Sequence, residues 1–353
     1  MMFNQIIKND IEEIFNSNIN WQIFKDKTIV ITGSNGFIGS YLCRVFFAVN
    51  KKINLNIKII CLVRESSNLR NIDFLKDCNF SKIIKCDICN INQNILKKAD
   101  FIIHAASNAS PIYYKSKPIE TIDPNILATK NLLEIAKKNS ATFLFISSGA
   151  VYGEIKDIKN ITEEDYFPIN PEKMNSCYSL SKKMGEVYCY SYKRIFNLDL
   201  KIARIFHTLG PGLSVGDGRV FADFIDEISQ KKSISVKGDG LTKRSFCYIS
   251  DSIIALLILL TSRSKSTAYN IGNPKNFYSI NELAQILKNK YPNYVQKINY
   301  NYIRENNSCY SESEVRYSLP SISKISNEFK WVPKVSIEDA FERTILSRLK
   351  YEQ

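Results

Sequence analysis

A short run of β-branched residues leads directly into a glycine-bearing turn near the start of this chain. TIVIT (Thr28–Thr32) is followed by GSNGFIG and then by an apolar stretch with helical spacing, SYLCRVFFAV. This order predicts a strand, a tight turn and a helix. Glycines in such a turn let the backbone approach a pyrophosphate at the helix N-terminus. We therefore predict that a dinucleotide is held by Gly33, Ser34, Asn35, Gly36, Phe37, Ile38 and Gly39. The alternative is a plain turn that uses glycine only for its dihedral angles.

The same alternation of apolar strands and helices continues along the chain. Strand-like runs cover residues 57–63, 82–88, 100–106, 142–148, 200–206 and 268–272. Buried strands separated by helices predict an α/β fold, a doubly wound parallel Rossmann sheet with a smaller interleaved C-terminal substrate-binding domain. We assign residues 1–26 to an N-terminal helical extension, 27–209 plus about 245–275 to the NAD(P)-binding domain, and 210–244 plus 276–353 to the substrate domain.

Charge and cysteine content exclude several classes of protein. The net charge is +13, but the lysines are scattered and no zinc-finger, KH or RNP pattern occurs, so we predict no nucleic-acid partner. Nine cysteines without disulfide-scaffold spacing fit a reducing compartment. Cys86-x-x-Cys89 has no second pair or nearby histidine, so we predict no metal.

Targeting features are also lacking. The strongly apolar run 253–260 is shorter than the roughly 20 residues that cross a bilayer, and predicts a core helix. The N-terminus lacks the basic start, long apolar centre and cleavage site of a signal peptide. We expect a cytoplasmic protein with no membrane partner, in which the N-terminal extension is a packing or dimer-edge helix.

The end of the second strand indicates which nicotinamide cofactor is held. An acid at this point accepts from the adenosine ribose, whereas a cation neutralises a 2′-phosphate. Arg64, followed by Ser66 and Ser67, favours NADP, with NAD possible if Glu65 takes the acidic role. Asp87, with Ile88 beside it, is placed to reach adenine, although an aspartate that only caps its own loop is the alternative.

Tyr178 and Lys182 lie four residues apart in CYSLSKKMGE, which places both on one face of a helix. An ammonium group near a phenol stabilises the phenolate and lowers the tyrosine pKa. Such a tyrosine can exchange a proton with a carbinol oxygen while hydride moves to or from a nicotinamide. Ser148, at the end of the preceding strand, can hydrogen-bond the same oxygen. We predict that these three residues are catalytic.

From about residue 27 onward the sequence resembles the extended short-chain dehydrogenase/reductases, specifically the nucleotide-sugar epimerase/dehydratase family. The segments that carry the resemblance include TGSNGFIG (32–39), HAASNASP (104–111), FISSGAVYGE (145–154), YSLSKKMGE (178–186), RIFHTLGPG (204–212), KRSFCYISD (243–251) and FKWVPKVSIEDAFERTI (329–345). The resemblance implies that Lys182 also holds the nicotinamide ribose and that Ala105 and Ala106 line the cofactor cleft. It also implies a homodimer formed through the helices around Ala128 and Tyr178.

The resemblance further implies that the substrate is a nucleotide-diphosphate sugar. Arg244 matches the arginine that meets the diphosphate in this family, and a guanidinium suits phosphate because it donates two parallel hydrogen bonds. Arg219 and Arg316 are lesser candidates, each with a surface ion pair as the alternative. His207 stands where the family usually has asparagine. The full set of predicted substrate-binding residues is Ser107, Asn108, Ser110, His207, Arg219, Arg244 and Arg316.

One departure from the family pattern bears on the reaction. Sugar 4,6-dehydratases of this family carry Asp-Glu directly after the Ser/Thr of the triad, and related decarboxylases carry a Glu in that pair. Here the pair is Gly149 and Ala150, and neither can donate or accept a proton. The sequence thus favours NADPH-dependent reduction of a 4-keto, 6-deoxy nucleotide sugar. NAD-dependent C4 epimerisation is the alternative, ahead of dehydration, decarboxylation or a non-catalytic scaffold.

Overall fold

The computed structural model describes residues 5–155, 157, 159–301 and 317–349. Its strands are β1 (Thr28–Thr32), β2 (Lys58–Val63), β3 (Ser81–Lys85), β4 (Phe101–His104), β5 (Thr142–Ser148), β6 (Asn160–Ile161), β7 (Leu200–Ile205), β8 (His207–Leu209), β9 (Ile234–Lys237), β10 (Lys243–Tyr248), β11 (Ala268–Ile271), β12 (Phe277–Ser279), β13 (Ile298–Asn301) and β14 (Tyr317–Pro320).

Helices connect most of these strands. They are α1 (Gln5–Phe15), α2 (Phe37–Ile53), α3 (Pro111–Ser116), α4 (Pro118–Asp123), α5 (Thr129–Asn139), α6 (Ser176–Phe196), α7 (Val220–Ser229), α8 (Ile249–Thr261), α9 (Ile280–Lys290), α10 (Ser323–Phe329) and α11 (Ile337–Leu349). A π-helical turn, Pro124–Ala128, joins α4 to α5. Within the described ranges, no helix combines the length and apolar character needed to cross a bilayer.

The central sheet has seven strands in the order β11-β7-β5-β4-β1-β2-β3, and each neighbouring pair runs parallel. Side chains alternate along β1: Ile29 and Ile31 join one hydrophobic core with α1, α2 and α8, whereas Val30 joins another with α5 and α6. Helices therefore cover both faces of the sheet, because its strands are apolar on both sides. The predicted doubly wound fold is confirmed.

A second sheet lies outside the central one. It pairs β12, β10, β14 and β6 in that order, with β8 beside β10, and β13 pairs with β9. Four of these strands, β6, β8, β9 and β10, lie in the chain between strands of the central sheet. The chain thus passes repeatedly between the two sheets. The division into domains at the residues given above stays a prediction.

The N-terminal helix α1 is packed into the body of the protein through a buried carboxylate. Asp10 is fully buried and accepts hydrogen bonds from the Tyr41 hydroxyl of α2, the Tyr248 hydroxyl of β10 at 2.8 Å, and the Arg343 guanidinium of α11 at 3.1 Å. Burial raises the pKa of Asp10 to about 6, against the effect of these donors. The extension is therefore joined to three separate elements of the fold.

Candidate active site

The loop between β1 and α2 admits no side chain at two of its glycines. Gly33 has φ +65°, and a Cβ there would lie 2.8 Å from the Ala106 Cα. A Cβ on Gly39 would lie 2.3 Å from the Gly33 carbonyl oxygen. Gly36 is the N-cap of α2, and no side chain caps this helix start. The backbone N–H groups in the first turn of α2 are therefore open to a pyrophosphate, and the glycines let it approach the backbone closely.

The other loop residues predicted to hold the cofactor use their side chains within the protein. The Ser34 hydroxyl donates to the Ile31 carbonyl at 2.6 Å. The Asn35 side-chain oxygen accepts from the Asn71 backbone amide at 3.0 Å. Phe37 and Ile38 pack against the hydrophobic core. A contact between these four residues and a cofactor would therefore come from their backbone.

A buried hydrogen-bond chain, not predicted from the sequence, holds the cleft lining in place. The Thr32 hydroxyl accepts from the backbone amides of Ala105 and Ala106 at 3.1 and 3.0 Å, and it lies 2.8 Å from His104 Nδ1. His104 Nε2 lies 3.0 Å from the Pro124 carbonyl. Burial and the Lys182 charge lower the His104 pKa to about 3. His104 is thus neutral, with its proton assigned to Nε2 by these partners. The sequence feature that could have pointed to His104 was its position at the end of a strand, in HAASNASP.

The candidates for adenosine contacts follow the strands on one side of β1. Arg64 is exposed just after β2. Asp87 follows β3 and accepts from the Cys89 backbone amide at 2.9 Å and from Asn90 Nδ2 at 2.8 Å. Asp87 therefore caps its own loop, which leaves its predicted contact with adenine untested. Ile88 is buried beside it. The cofactor roles of Arg64, Asp87 and Ile88 stay predictions.

The structure brings two of the predicted catalytic side chains together. Ser148, at the end of β5, lies close enough to the hydroxyl of Tyr178 on α6 to oppose the rise that burial causes in the Tyr178 pKa, and it also accepts from the Ala150 backbone amide at 3.2 Å. The Tyr178 ring is buried and stacks on Tyr114 of α3, with centroids 5.1 Å apart and planes inclined by 18°. These contacts fix the direction of the Tyr178 phenol.

Lys182 is turned toward the sheet. Its Nζ donates to the Ile146 carbonyl at 2.7 Å and lies 4.9 Å from the centre of the Phe145 ring. Burial lowers the Lys182 pKa to about 7, although the Glu186 charge acts in the other direction. The Lys182 ammonium group therefore lies against the last residues of β5.

The expected acidification of Tyr178 by Lys182 is not found. Burial raises the Tyr178 pKa, and the groups that oppose this rise are the Ser148 hydroxyl and the Arg219 charge. The physical reason is that the Lys182 ammonium group is engaged by a carbonyl of β5 instead of the phenol. The sequence correctly placed the two residues on one helix, but their spacing did not determine where the ammonium group points.

Several predicted substrate-binding residues are held by hydrogen bonds within the protein. The Ser110 hydroxyl donates to the Asp217 carbonyl, and the Arg219 guanidinium donates to the Asp217 carboxylate with one contact of 2.9 Å. Asn108 is tied to the Glu120 carbonyl at 3.0 Å. The Ser107 hydroxyl is buried and has no hydrogen-bond partner among the described residues. An orphaned hydroxyl of this kind fits a site that receives a polar ligand.

His207 and two arginines form a second group at this cleft. The His207 ring stacks at 6.1 Å on Phe221, and its pKa is lowered well below 6.5 by burial and by the charges of Arg244 and Arg219. Burial also lowers the Arg244 pKa to about 10. Arg219 and Arg244 therefore both lie near His207, and their role in binding a diphosphate stays a prediction. Arg316 lies outside the described residues.

The departure at position 149 has a structural cause. A Cβ on Gly149 would lie 3.0 Å from Cε1 of Phe206. On its other side Phe206 meets Gly272, where a Cβ would lie 3.1 Å from the Phe206 Cβ. Phe206 therefore fills the space that a side chain at position 149 would need. Ala150 offers no acid either.

The two cysteines singled out in the sequence, Cys86 and Cys89, are partly buried free thiols. Burial raises the pKa of both Cys86 and Cys89, the latter to about 12. No group of three or more His, Cys, Asp or Glu side chains suited to a metal ion occurs in the part of the chain that the structure describes.

A parallel Rossmann sheet with a glycine loop and a Ser-Tyr pair at the end of β5 defines a short-chain dehydrogenase/reductase. The model of the NAD dependent epimerase/dehydratase family matches residues 29–272. The chain belongs to this family, whose members are NAD-dependent enzymes that modify nucleotide sugars.

Relatives and solved structures agree with this assignment. UDP-glucuronic acid decarboxylase 1 of Arabidopsis thaliana is 32% identical over 90% of this chain and 68% of its own length. The UDP-glucuronic acid 4-epimerase of Bacillus cereus, solved with UDP-glucuronic acid and NAD, is 26% identical with TM-score 0.77, covering 92% of this chain and 100% of that one. The UDP-N-acetylglucosamine 4-epimerase of Methanobrevibacter ruminantium M1 is 26% identical with TM-score 0.78, covering 93% and 99%.

Proposed function

We propose that this protein is an NAD-dependent C4 epimerase of a UDP-sugar. The observation that carries the proposal is a Ser148–Tyr178 pair at the end of β5 with no carboxylic acid at positions 149 and 150. Proton exchange at a C4 hydroxyl needs only the phenol, whereas dehydration or proton delivery at C5 needs a further acid or base. The solved epimerases with UDP-linked ligands support this reading over the NADPH-dependent reduction that Arg64 suggested.

The residues would act as follows. The glycine loop and the start of α2 hold the dinucleotide, which supplies a reversible acceptor for the C4 hydride when it is bound. In its ionised form Tyr178 would take the proton of the C4 hydroxyl and later return it, and Ser148 would hydrogen-bond the same oxygen as charge develops there. Arg219 and Arg244 hold the diphosphate. The sugar must turn over between the removal and the return of the C4 hydride. The diphosphate therefore has to stay bound while the sugar moves.

Decarboxylation of a UDP-uronic acid is the second candidate, because the Arabidopsis thaliana relative bears that name at 32% identity. Loss of CO2 from a 4-keto uronic acid leaves a carbanion at C5 that must be protonated. Gly149 and Ala150 supply no proton donor at the positions where the decarboxylases carry a glutamate. We therefore rank this reaction below epimerisation.

One experiment separates these reactions. UDP-glucose, UDP-N-acetylglucosamine and UDP-glucuronic acid are incubated with the protein and NAD in D2O and followed by proton NMR. Epimerisation gives the C4 epimer, with no deuterium at C4 or C5 and no net reduction of NAD. Decarboxylation gives a pentose with deuterium at C5. The Tyr178→Phe variant, which should bind NADH but not turn over, is the control. Failure of all three sugars, together with NADPH oxidation by a 4-keto sugar nucleotide, would restore the reductase interpretation.

The proposed enzyme would be a homodimer. A groove of about 970 Å³ runs between α3, α4 and α6, and its lining is mainly apolar with charged residues such as Lys115 and Lys183 among it. Met184 and Val187 on its α6 wall are 46% and 52% exposed. A second copy of the chain is the proposed occupant, since the family resemblance places the dimer contact at these helices. Val187→Glu should shift the sedimentation coefficient to that of a monomer. Ile195→Glu, an exposed position on α6 outside the groove, should not, and equal sedimentation of both variants and the parent would contradict the proposal.

A further inference from the structure

The loop between β8 and α7, residues 210–219, extends between two helices of the candidate site. A Cβ on Gly212 would lie 3.8 Å from Cδ2 of Phe37, the first residue of α2. Nearer the other end of the loop, a Cβ on Gly218 would lie 2.7 Å from Cγ1 of Ile112 on α3. The β8–α7 loop therefore reaches from the helix predicted to hold the pyrophosphate to α3.

The last residues of the β8–α7 loop contact predicted substrate-binding side chains. The Ser110 hydroxyl donates to the Asp217 carbonyl. The Asp217 carboxylate accepts from Nη2 of Arg219 at 2.9 Å. Arg219 Cζ lies 5.1 Å from the centre of the Phe221 ring, on which the His207 ring stacks. The position of the loop therefore sets where the Arg219 guanidinium lies.

The same end of the loop is joined through α3 to the catalytic candidate Tyr178. Ser110 is the N-cap of α3, and Tyr114 lies one turn further along that helix. The Tyr114 ring stacks on Tyr178 with centroids 5.1 Å apart, and its hydroxyl donates to the Ala109 carbonyl at 2.9 Å. The β8–α7 loop and the Tyr178 phenol thus contact the same short helix.

The middle of the β8–α7 loop is exposed to solvent. The Val215 side chain is 71% exposed, and Ser214 and Gly216 beside it are exposed as well. A Cβ on Gly216 would meet no described atom within 4 Å. Because such a segment buries little apolar surface, polar contacts must offset the entropy lost when it is held in one conformation.

Two largely buried side chains supply polar contacts to this segment. Arg348 on α11 donates through Nη2 to the Leu213 carbonyl at 3.1 Å and to the Ser214 carbonyl at 3.3 Å. Asp226 on α7 accepts from the Gly216 backbone amide at 2.8 Å. The Arg348 guanidinium and the Asp226 carboxylate form an ion pair, with side chains 14% and 12% exposed. The pair therefore fixes three consecutive peptide groups of the loop between α7 and α11.

We propose that Arg348 is a positioning residue which, together with Asp226, holds the β8–α7 loop so that Arg219 is ready to bind the diphosphate of the substrate. Arg348 contacts the loop from the side of α11, whereas Ser110 contacts it from the side of α3. A loop fixed in advance need not be ordered when the substrate binds, and this raises the affinity. The inference rests on the proposed function, because it takes Arg219 as a residue that binds the diphosphate.

The first measurement is the binding of UDP to the full-length protein by calorimetry, because UDP carries the diphosphate without the reacting sugar. Arg348→Met should lower the UDP affinity by about tenfold, since the loop must then be ordered on binding. KM for the UDP-sugar should rise similarly, with a smaller change in kcat. NADH affinity should not change. Arg348→Lys, which keeps the charge and still donates, should recover most of the UDP affinity.

Hydrogen exchange of the loop distinguishes positioning from a simple effect of charge on the diphosphate. In the ligand-free Arg348→Met variant, backbone amides of residues 211–218 should exchange at least about tenfold faster than in the parent, because the contacts that hold them are lost. The amides of β5 should exchange as in the parent. Glu342→Gln is the matched control, since Glu342 lies on the same helix but pairs with Lys290 of α9 at 2.7 Å. It should change neither the exchange of the loop nor the UDP affinity.

A second variant covers the case in which Arg348→Met does not fold, because removal of Arg348 alone leaves Asp226 without its charged partner. Asp226→Asn/Arg348→Met removes both charges and should show the same loss of UDP affinity and the same faster exchange. Parent-like UDP affinity in these variants, or weaker binding with unchanged exchange of the loop, would overturn the proposal. Failure of the parent itself to bind UDP would instead contradict the proposed function.

Discussion

The buried Asp10 carboxylate should make the stability of this protein depend on pH in an unusual direction. Its pKa rises from the ordinary value of 3.8 to about 6 on folding, so the folded state binds the proton more tightly than the unfolded chain. The favourable contribution is therefore complete below about pH 4 and is lost as pH rises through about 6. At about 1.4 kcal/mol for each unit of pKa, the loss amounts to about 3 kcal/mol.

Asp10→Asn isolates this contribution from all other titrations. An asparagine oxygen can still accept from Tyr41 and Tyr248, and Arg343 keeps Glu13 at 3.0 Å. The free energy of unfolding of the variant, relative to the parent, should therefore increase by about 3 kcal/mol between pH 4 and pH 7. Urea unfolding followed through the two buried tryptophans, Trp21 and Trp331, measures this difference.

If the unfolding free energies of the parent and Asp10→Asn change in parallel from pH 4 to pH 7, the carboxylate is not protonated preferentially in the folded state. Glu12→Gln serves as the matched control, because the Glu12 carboxylate lies on the same helix but pairs with Lys52 and is 51% exposed. Its unfolding curve should keep the pH dependence of the parent.

Three further predictions concern the candidate site. Gly39→Ala, whose Cβ would lie 2.3 Å from the Gly33 carbonyl, should weaken NADH binding by at least about tenfold. Gly36→Ala, with a 3.1 Å contact, should weaken it less. Equal NADH affinities of the two variants, measured by calorimetry, would contradict the loop geometry. Arg64→Asp should lower the affinity for NADP by about tenfold and spare NAD, whereas an equal loss for both cofactors would remove Arg64 from the adenosine site. Tyr114→Ala should lower kcat more than it changes KM, because the stacked ring that fixes the Tyr178 phenol is lost, and Tyr114→Phe should restore kcat.

The sequence predicted those features that depend on local pattern. Residues 28–32, 142–148 and 268–272 were identified as strands of the main sheet, because apolar β-branched runs next to turns reflect burial on both faces. The glycine loop was predicted from the placement of Gly33 and Gly39 between a strand and a helix. These inferences need no knowledge of distant partners.

Long-range partners could not be predicted in the same way. The Lys182 spacing from Tyr178 placed both on one helix but did not reveal that the Ile146 carbonyl would bind the ammonium group. The Thr32–His104 hydrogen bond joins residues 72 positions apart in the chain. The role of the N-terminal extension depends on Asp10 meeting three separate elements of the fold. Each of these contacts is set by packing of the finished structure.

Phe206 lies between Gly149 and Gly272, and this arrangement limits how the enzyme can acquire a new reaction. A Cβ at position 149 would lie 3.0–3.1 Å from three atoms of the Phe206 ring, so a side chain there requires that ring to shift. A laboratory library that varies positions 149 and 206 together should therefore yield more folded members with an acid at 149 than a library that varies position 149 alone. A smaller residue at 206 would in the same way ease an evolutionary route from the present chemistry to dehydration.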